Sequence, residues 1–175
     1  ADKLCEVVRA NNHFLDFGLL GSKSVPAMLT RYGYVEDAMK MITKTEAPSW
    51  GYWVETMGYT TLPETWTLSP QFRDASLNHV FMGDVSAWMM NQLAGINYDA
   101  AGPGFRHILI TPHFVEGMDW AKGEYHSVRG LISSQWKREG GKVTLTVTIP
   151  SGCTADIRVG DKTETVGSGT YVNTY

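Results

Sequence analysis

The chain has 175 residues, 43% of them hydrophobic and 19% charged, with a formal net charge of −3 and no run of Lys or Arg. This is the balance of a folded chain with real cores, and it argues against a nucleic-acid partner, which needs a basic patch. No stretch of about 18 apolar residues occurs, so no membrane partner through a spanning helix is expected.

The opening Ala1-Asp2-Lys3-Leu4-Cys5-Glu6-Val7-Val8 reads as the middle or end of a helix, neither a signal peptide nor a natural initiator. Ser22 or Ser24 is predicted to cap the next helix, with Pro26 in its first turn and Gly33 at its end. Val35, Ala38, Met39 and Ile42 then recur at helical spacing. Glu36 and Asp37 stand at the front of that run and Lys40 and Lys44 at the back, complementing the helix dipole. Ala47-Pro48-Ser49 stops it. A loop follows, Gly51-Tyr52-Trp53-Val54-Glu55-Thr56-Met57-Gly58-Tyr59-Thr60-Thr61-Leu62-Pro63-Glu64-Thr65-Trp66, which gathers aromatics, glycines and hydroxyls around two carboxylates. Aromatic rings stack on sugar faces, and a carboxylate can take a proton from water. From about Ala75 to Ile96 a long helix is expected, apolar nearly all round, with Ser76-Leu77-Asn78-His79 at its mouth. Such a helix belongs inside a larger assembly.

Gly102-Pro103-Gly104 is read as a hinge, beyond which the period changes from about 3.6 to 2. Val143, Leu145, Val147 and Ile149 alternate with threonines as a strand does. Similar short runs lie at 106–110, 120–126, 131–137, 154–159 and 162–166, with glycines at the turns. Six or seven short antiparallel strands of this kind predict a β-sandwich. The resulting division is residues 1–97, helical, and residues 98–175, β. Cys5 and Cys153 lack any CxxC partner or nearby His, so a zinc site is not expected.

On several of these stretches the chain resembles the bacterial α-L-rhamnosidases of glycoside hydrolase family 78. The matching segments are Phe17-Gly18-Leu19-Leu20-Gly21, Pro48-Ser49-Trp50-Gly51-Tyr52, Thr60-Thr61-Leu62-Pro63-Glu64-Thr65-Trp66 and Ser76-Leu77-Asn78-His79 with Gly83. They continue through Leu93-Ala94-Gly95-Ile96, Gly104-Phe105-Arg106-His107-Ile108-Leu109-Ile110 and Gly130-Leu131-Ile132-Ser133-Ser134-Gln135-Trp136. The resemblance implies an α+β, multi-domain arrangement: the last helices of an (α/α)6 barrel followed by a C-terminal antiparallel β-sandwich. It implies inverting release of terminal α-L-rhamnose from a glycoside or polysaccharide. The general base of the Thr-Thr-x-x-Glu-x-Trp pattern falls on Glu64, and the sugar-contacting His of the Asn-His pattern on His79. The general acid belongs to an earlier barrel segment, so the missing N-terminal part of the same protein is an implied partner. No metal or organic cofactor is implied, since two carboxylates suffice for inversion.

Each of these residues also has a plainer reading. Glu64 would serve as an ordinary loop carboxylate paired with Arg31 or Arg73; as a base it must be ionised, with Thr60 and Thr61 expected to orient it. Glu55 is the competing carboxylate, and Asp84, on an apolar stripe, is expected to be buried and paired. His79 alone would be a core histidine, but beside Asn78 at a helix mouth it fits a sugar hydroxyl. Packing is the default for Trp50 and Trp53, whereas Trp66 shares the loop of Glu64 and is the favoured stacking platform. Trp120, Tyr125 and Trp136 are expected in the core of the β half; exposed, they would suit the alternative reading of a non-catalytic carbohydrate-binding module. A further alternative is an interaction domain that docks through its open helical face.

Overall fold

The computed structural model describes residues 1–15, 17–66 and 75–175, which form two compact units, Ala1–Trp88 and Met89–Tyr175. Among the described residues the first contains four α-helices: α1 (Asp2–Ala10), α2 (Leu19–Arg31), α3 (Val35–Thr43) and α4 (Val80–Trp88). A π-helical turn, Tyr52–Thr56, opens the loop between α3 and α4.

α1 and α2 end by one device. The Tyr34 N–H reaches back to the Leu29 carbonyl (2.8 Å) and the Gly33 N–H to the Thr30 carbonyl (3.0 Å), with Gly33 left-handed at φ +89°. The end of α1 makes the same two bonds, His13 donating to Val8 and Asn12 to Arg9, with Asn12 (φ +50°) and His13 (φ +59°) both left-handed. Both are Schellman turns, and asparagine is the side chain that best replaces glycine there. The predicted stop at Gly33 holds. The predicted start does not: α2 begins after Gly18, so Ser22 and Ser24 lie inside it and return their hydroxyls to the Leu19 and Leu20 carbonyls. Pro26 is therefore interior rather than in the first turn.

α2 packs against α3 and α4. Three side-chain donors tie this unit to α4: Trp88 Nε1 to Thr30 Oγ1, Trp50 Nε1 to the Met82 carbonyl, and Ser22 Oγ to the Phe81 carbonyl. α4 starts at Val80, not near Ala75, and buries Met82, Val85 and Trp88. Leu77, Val80 and Phe81 stay exposed, in keeping with a helix apolar all round. Asp84 is half-buried rather than buried.

In the second unit a π-helical turn, Met89–Leu93, leads to left-handed Gly95, and the first strand follows at once, well before the expected hinge. Eight strands form two sheets of four. One has the order β1 (Ile96–Tyr98), β2 (His107–Ile110), β6 (Thr154–Val159), β7 (Lys162–Val166). The other has the order β3 (Trp120–Ser127), β4 (Gly130–Glu139), β5 (Lys142–Ile149), β8 (Gly169–Thr174). The second is antiparallel throughout. The first is mixed, because β2 and β6 run parallel from His107↔Thr154 to Ile110↔Ile157, which corrects the expectation of antiparallel strands alone. Alternation is strict on β5, where Val143, Leu145, Val147 and Ile149 are buried. Trp136 is fully buried and donates to the Leu93 carbonyl; Trp120 and Tyr125, expected inside, are exposed.

Candidate active site

The loop carrying Glu64 and the segment leading into α4 are laced together. Glu64 N–H donates to the Ser76 carbonyl (2.8 Å), Ser76 N–H to Glu64 Oε2 (3.0 Å), and His79 N–H to the Leu62 carbonyl (2.8 Å). Glu64 and His79 thus sit on two strips of backbone that hold one another. The carboxylate is half-buried and is oriented by the Ser76 N–H, not by Thr60 or Thr61. An amide donated to one carboxylate oxygen fixes its plane. Among the described residues no ion pair joins Glu64, so Arg31 is not its partner; Arg73 lies outside the described residues. Thr60, Thr61 and Pro63, with Gly58, Tyr59 and Leu77, line a hollow of about 250 Å³ beside it in the chain.

His79 immediately precedes α4. Its carbonyl accepts the N–H groups of Met82 (3.1 Å) and Gly83 (3.3 Å), and its Nδ1 accepts the N–H of Phe81 (3.3 Å). The imidazole is therefore the side-chain cap of the helix, bonding the second helical N–H as Ser or Asn would. Because Nδ1 is an acceptor, the neutral ring carries its hydrogen on Nε2, which is left as a donor. The Phe81 ring stands edge-on to it at 5.4 Å. Asn78 is exposed, its N–H held by Ser76 Oγ (3.2 Å); among the described residues its side-chain amide makes no hydrogen bond.

Trp66 is half-buried. Its indole N–H donates to the Phe17 carbonyl (2.6 Å), one face stacks on Trp53 (4.6 Å, 24°), and Trp50 meets it edge-on (5.0 Å, 89°). Any sugar stacking would use its other face. Trp50 and Trp53 are buried packing residues, as expected, and Glu55 is exposed on the π-helical turn. The roles of the Ser76 N–H and the Leu62 carbonyl have no signature in the sequence, since every residue carries a main-chain donor or acceptor.

Away from the loop, Asp37 is buried and accepts from Arg9 Nε and Nη2 (2.9 and 2.8 Å), with His13 Nε2 at 2.8 Å. The Arg9 guanidinium holds its carboxyl well below the usual carboxylate range. This role was missed: Asp37 was read as a dipole partner only. Cys5 and Cys153 are both free and buried, and burial pushes the Cys5 thiol up. Among the described residues no group of His, Cys, Asp or Glu could hold a metal ion, and no helix is long and apolar enough to cross a membrane.

The description of the bacterial alpha-L-rhamnosidase 6 hairpin glycosidase domain matches residues 1–93, and that of the bacterial alpha-L-rhamnosidase C-terminal domain matches residues 95–172. The chain belongs to the bacterial α-L-rhamnosidase family. It is 31% identical over 163 residues to an α-L-rhamnosidase of Streptomyces avermitilis, which takes in 90% of this chain and 16% of that protein. An α-L-rhamnosidase of Formosa agariphila is 26% identical over 155 residues, 87% of this chain and 16% of the relative. Among solved structures, α-L-rhamnosidase from Aspergillus terreus superposes with a TM-score of 0.91 at 26% identity, over 99% of this chain and 21% of that one. The Streptomyces avermitilis enzyme complexed with L-rhamnose gives 0.88 at 27% identity, over 99% of this chain and 19% of that one. The chain thus spans 16% of the length of these curated relatives.

Proposed function

We propose that this chain contributes the water-activating side of an inverting α-L-rhamnosidase site. The observation that carries the proposal is the mutual hydrogen bonding of the Leu62–Glu64 and Ser76–His79 strips, which holds a carboxylate and a donor imidazole on one frame. Glu64 takes a proton from water as that water attacks the anomeric carbon. With Oε2 held by Ser76, Oε1, which has no hydrogen bond among the described residues, binds the water. His79 Nε2–H and the Asn78 amide hold sugar hydroxyls, and the outer face of Trp66 borders the ring. An acid elsewhere in the longer protein, about 6.5–9.5 Å from Glu64, protonates the leaving oxygen.

On this reading residues 1–97 are the closing helices of an (α/α)6 barrel and residues 98–175 a C-terminal β-sandwich. The substrate is a terminal α-L-rhamnoside of a glycoside or polysaccharide, and the exposed apolar side of α4 meets the rest of the barrel. Glu64→Gln keeps an acceptor for the Ser76 N–H and removes only the base. In the full-length protein it should lower rhamnose release by about 10²–10⁴-fold. A fall of less than about tenfold with folding intact would exclude Glu64 as the base.

A further inference from the structure

The second unit holds a cavity that the hydrolytic reading does not use. It is a groove of about 590 Å³ whose walls come from β7 and β8, the outermost strands of the two sheets. That volume is within the range of about 300–1,000 Å³ usual for small-ligand sites. Such sites are mostly apolar, whereas this one is lined by Asp161, Lys162, Glu164, Asn173 and Tyr175 over an Ile157 floor. Its polar groups are already organised. Asn173 Nδ2 donates to Glu164 Oε2 (3.0 Å). The Tyr175 ring is set by Phe114 at 5.9 Å on one side and Lys162 Nζ at 6.0 Å on another.

We infer that this groove binds a neutral saccharide segment. One carboxylate and one amide side by side offer an acceptor and a donor at the spacing of adjacent hydroxyls. The half-buried Tyr175 ring offers the surface left by Phe114 and Lys162 to sugar C–H groups, with a phenol at its rim. Asp161 and Glu164 outweigh Lys162 by one negative charge, which disfavours a phosphate or another anionic ligand. That the saccharide is part of a rhamnose-bearing polymer rests on the function proposed above. Tethering such a polymer to the protein would raise its local concentration at the hydrolytic site.

The test is affinity electrophoresis of the full chain through gels holding either a neutral rhamnan or a neutral β-glucan. The unmodified chain should be retarded by at least one of them. Asn173→Ala and Lys162→Ala, both at the groove rather than in the core, should each weaken retention by about tenfold or more. Lys3→Ala, on the exposed side of α1, should leave it unchanged. Absence of retardation in both gels, or equal retardation of the groove variants, overturns the proposal. So does retention lost in Lys3→Ala but kept in Asn173→Ala. A failure of the hydrolytic reading would appear separately, as undiminished rhamnose release by Glu64→Gln in the longer protein.

Discussion

His79 has two tasks that a pair of substitutions separates. Its Nδ1 caps α4 through the Phe81 N–H, and its Nε2–H is the proposed sugar donor. His79→Ala removes both. Losing a side-chain cap costs about 1 kcal/mol, so the chain should lose about that much stability. His79→Asn restores a cap, since asparagine is among the strongest capping residues, but its short amide does not reach where Nε2 stood. Stability should then match or exceed that of the unmodified chain. The lost donor should lower kcat/KM of the longer enzyme on an aryl α-L-rhamnoside by about 0.5–1.5 kcal/mol, or about two- to twelvefold. Urea denaturation of the chain and steady-state kinetics of the longer enzyme read the two effects independently. The reasoning is refuted if His79→Asn is as unstable as His79→Ala, or if it turns over substrate like the unmodified enzyme.

Other residues give equally direct outcomes. Asp37→Asn leaves Arg9 and His13 without their shared carboxylate; with Arg9 itself well solvated, the loss should be about 2–4 kcal/mol by urea denaturation. Because the folded Asp37 pKa is depressed, its stabilisation is complete above the ordinary carboxylate range and fades as pH falls below about 4. A denaturation series from pH 6 down to about 2 should therefore slope less steeply for Asp37→Asn. Trp66→Phe strips the N–H held by the Phe17 carbonyl while keeping a ring on Trp53; a loss of about 1–2 kcal/mol is expected by the same denaturation. Gly95→Ala would force a left-handed alanine whose Cβ lies 2.2 Å from Pro112 N, and should cost more than about 2 kcal/mol or prevent folding of the second unit, read by thermal melting.

What could be read from sequence was what depends on neighbours in the chain. The threonine alternation of β5 and the Gly33 stop are local signals, and both appear as expected. Ser22 and Ser24 misled because a serine has the same side chain whether it caps a helix or bonds backward inside one. Gly18, which carries no cap at all, is where α2 starts. The parallel pairing of β2 with β6 joins segments more than forty residues apart, and alternation along either strand is silent about direction. Strand alternation predicts Trp120 and Tyr125 inward, but the buried positions of β3 are Ala121 and Gly123. In the register Trp120 stands opposite Lys137, on the solvent side of the strand, whereas its neighbour Ala121 stands opposite buried Trp136.

The site divides along the same line. Glu64 and His79 are proposed from the motif because a base and a sugar donor must be particular side chains, which a sequence pattern can record. The frame that holds them is main chain: Glu64 N–H, Ser76 N–H and His79 N–H, with the Leu62 and Ser76 carbonyls accepting. Many side chains would permit those bonds, so the frame tolerates substitution at these positions. It does not tolerate a change in backbone path. Replacing Ser76 by alanine keeps the amide that orients Glu64, whereas proline there would remove it. On this argument the serine hydroxyl matters only through the Asn78 N–H that it accepts, and the alanine enzyme should retain most of its rhamnose release.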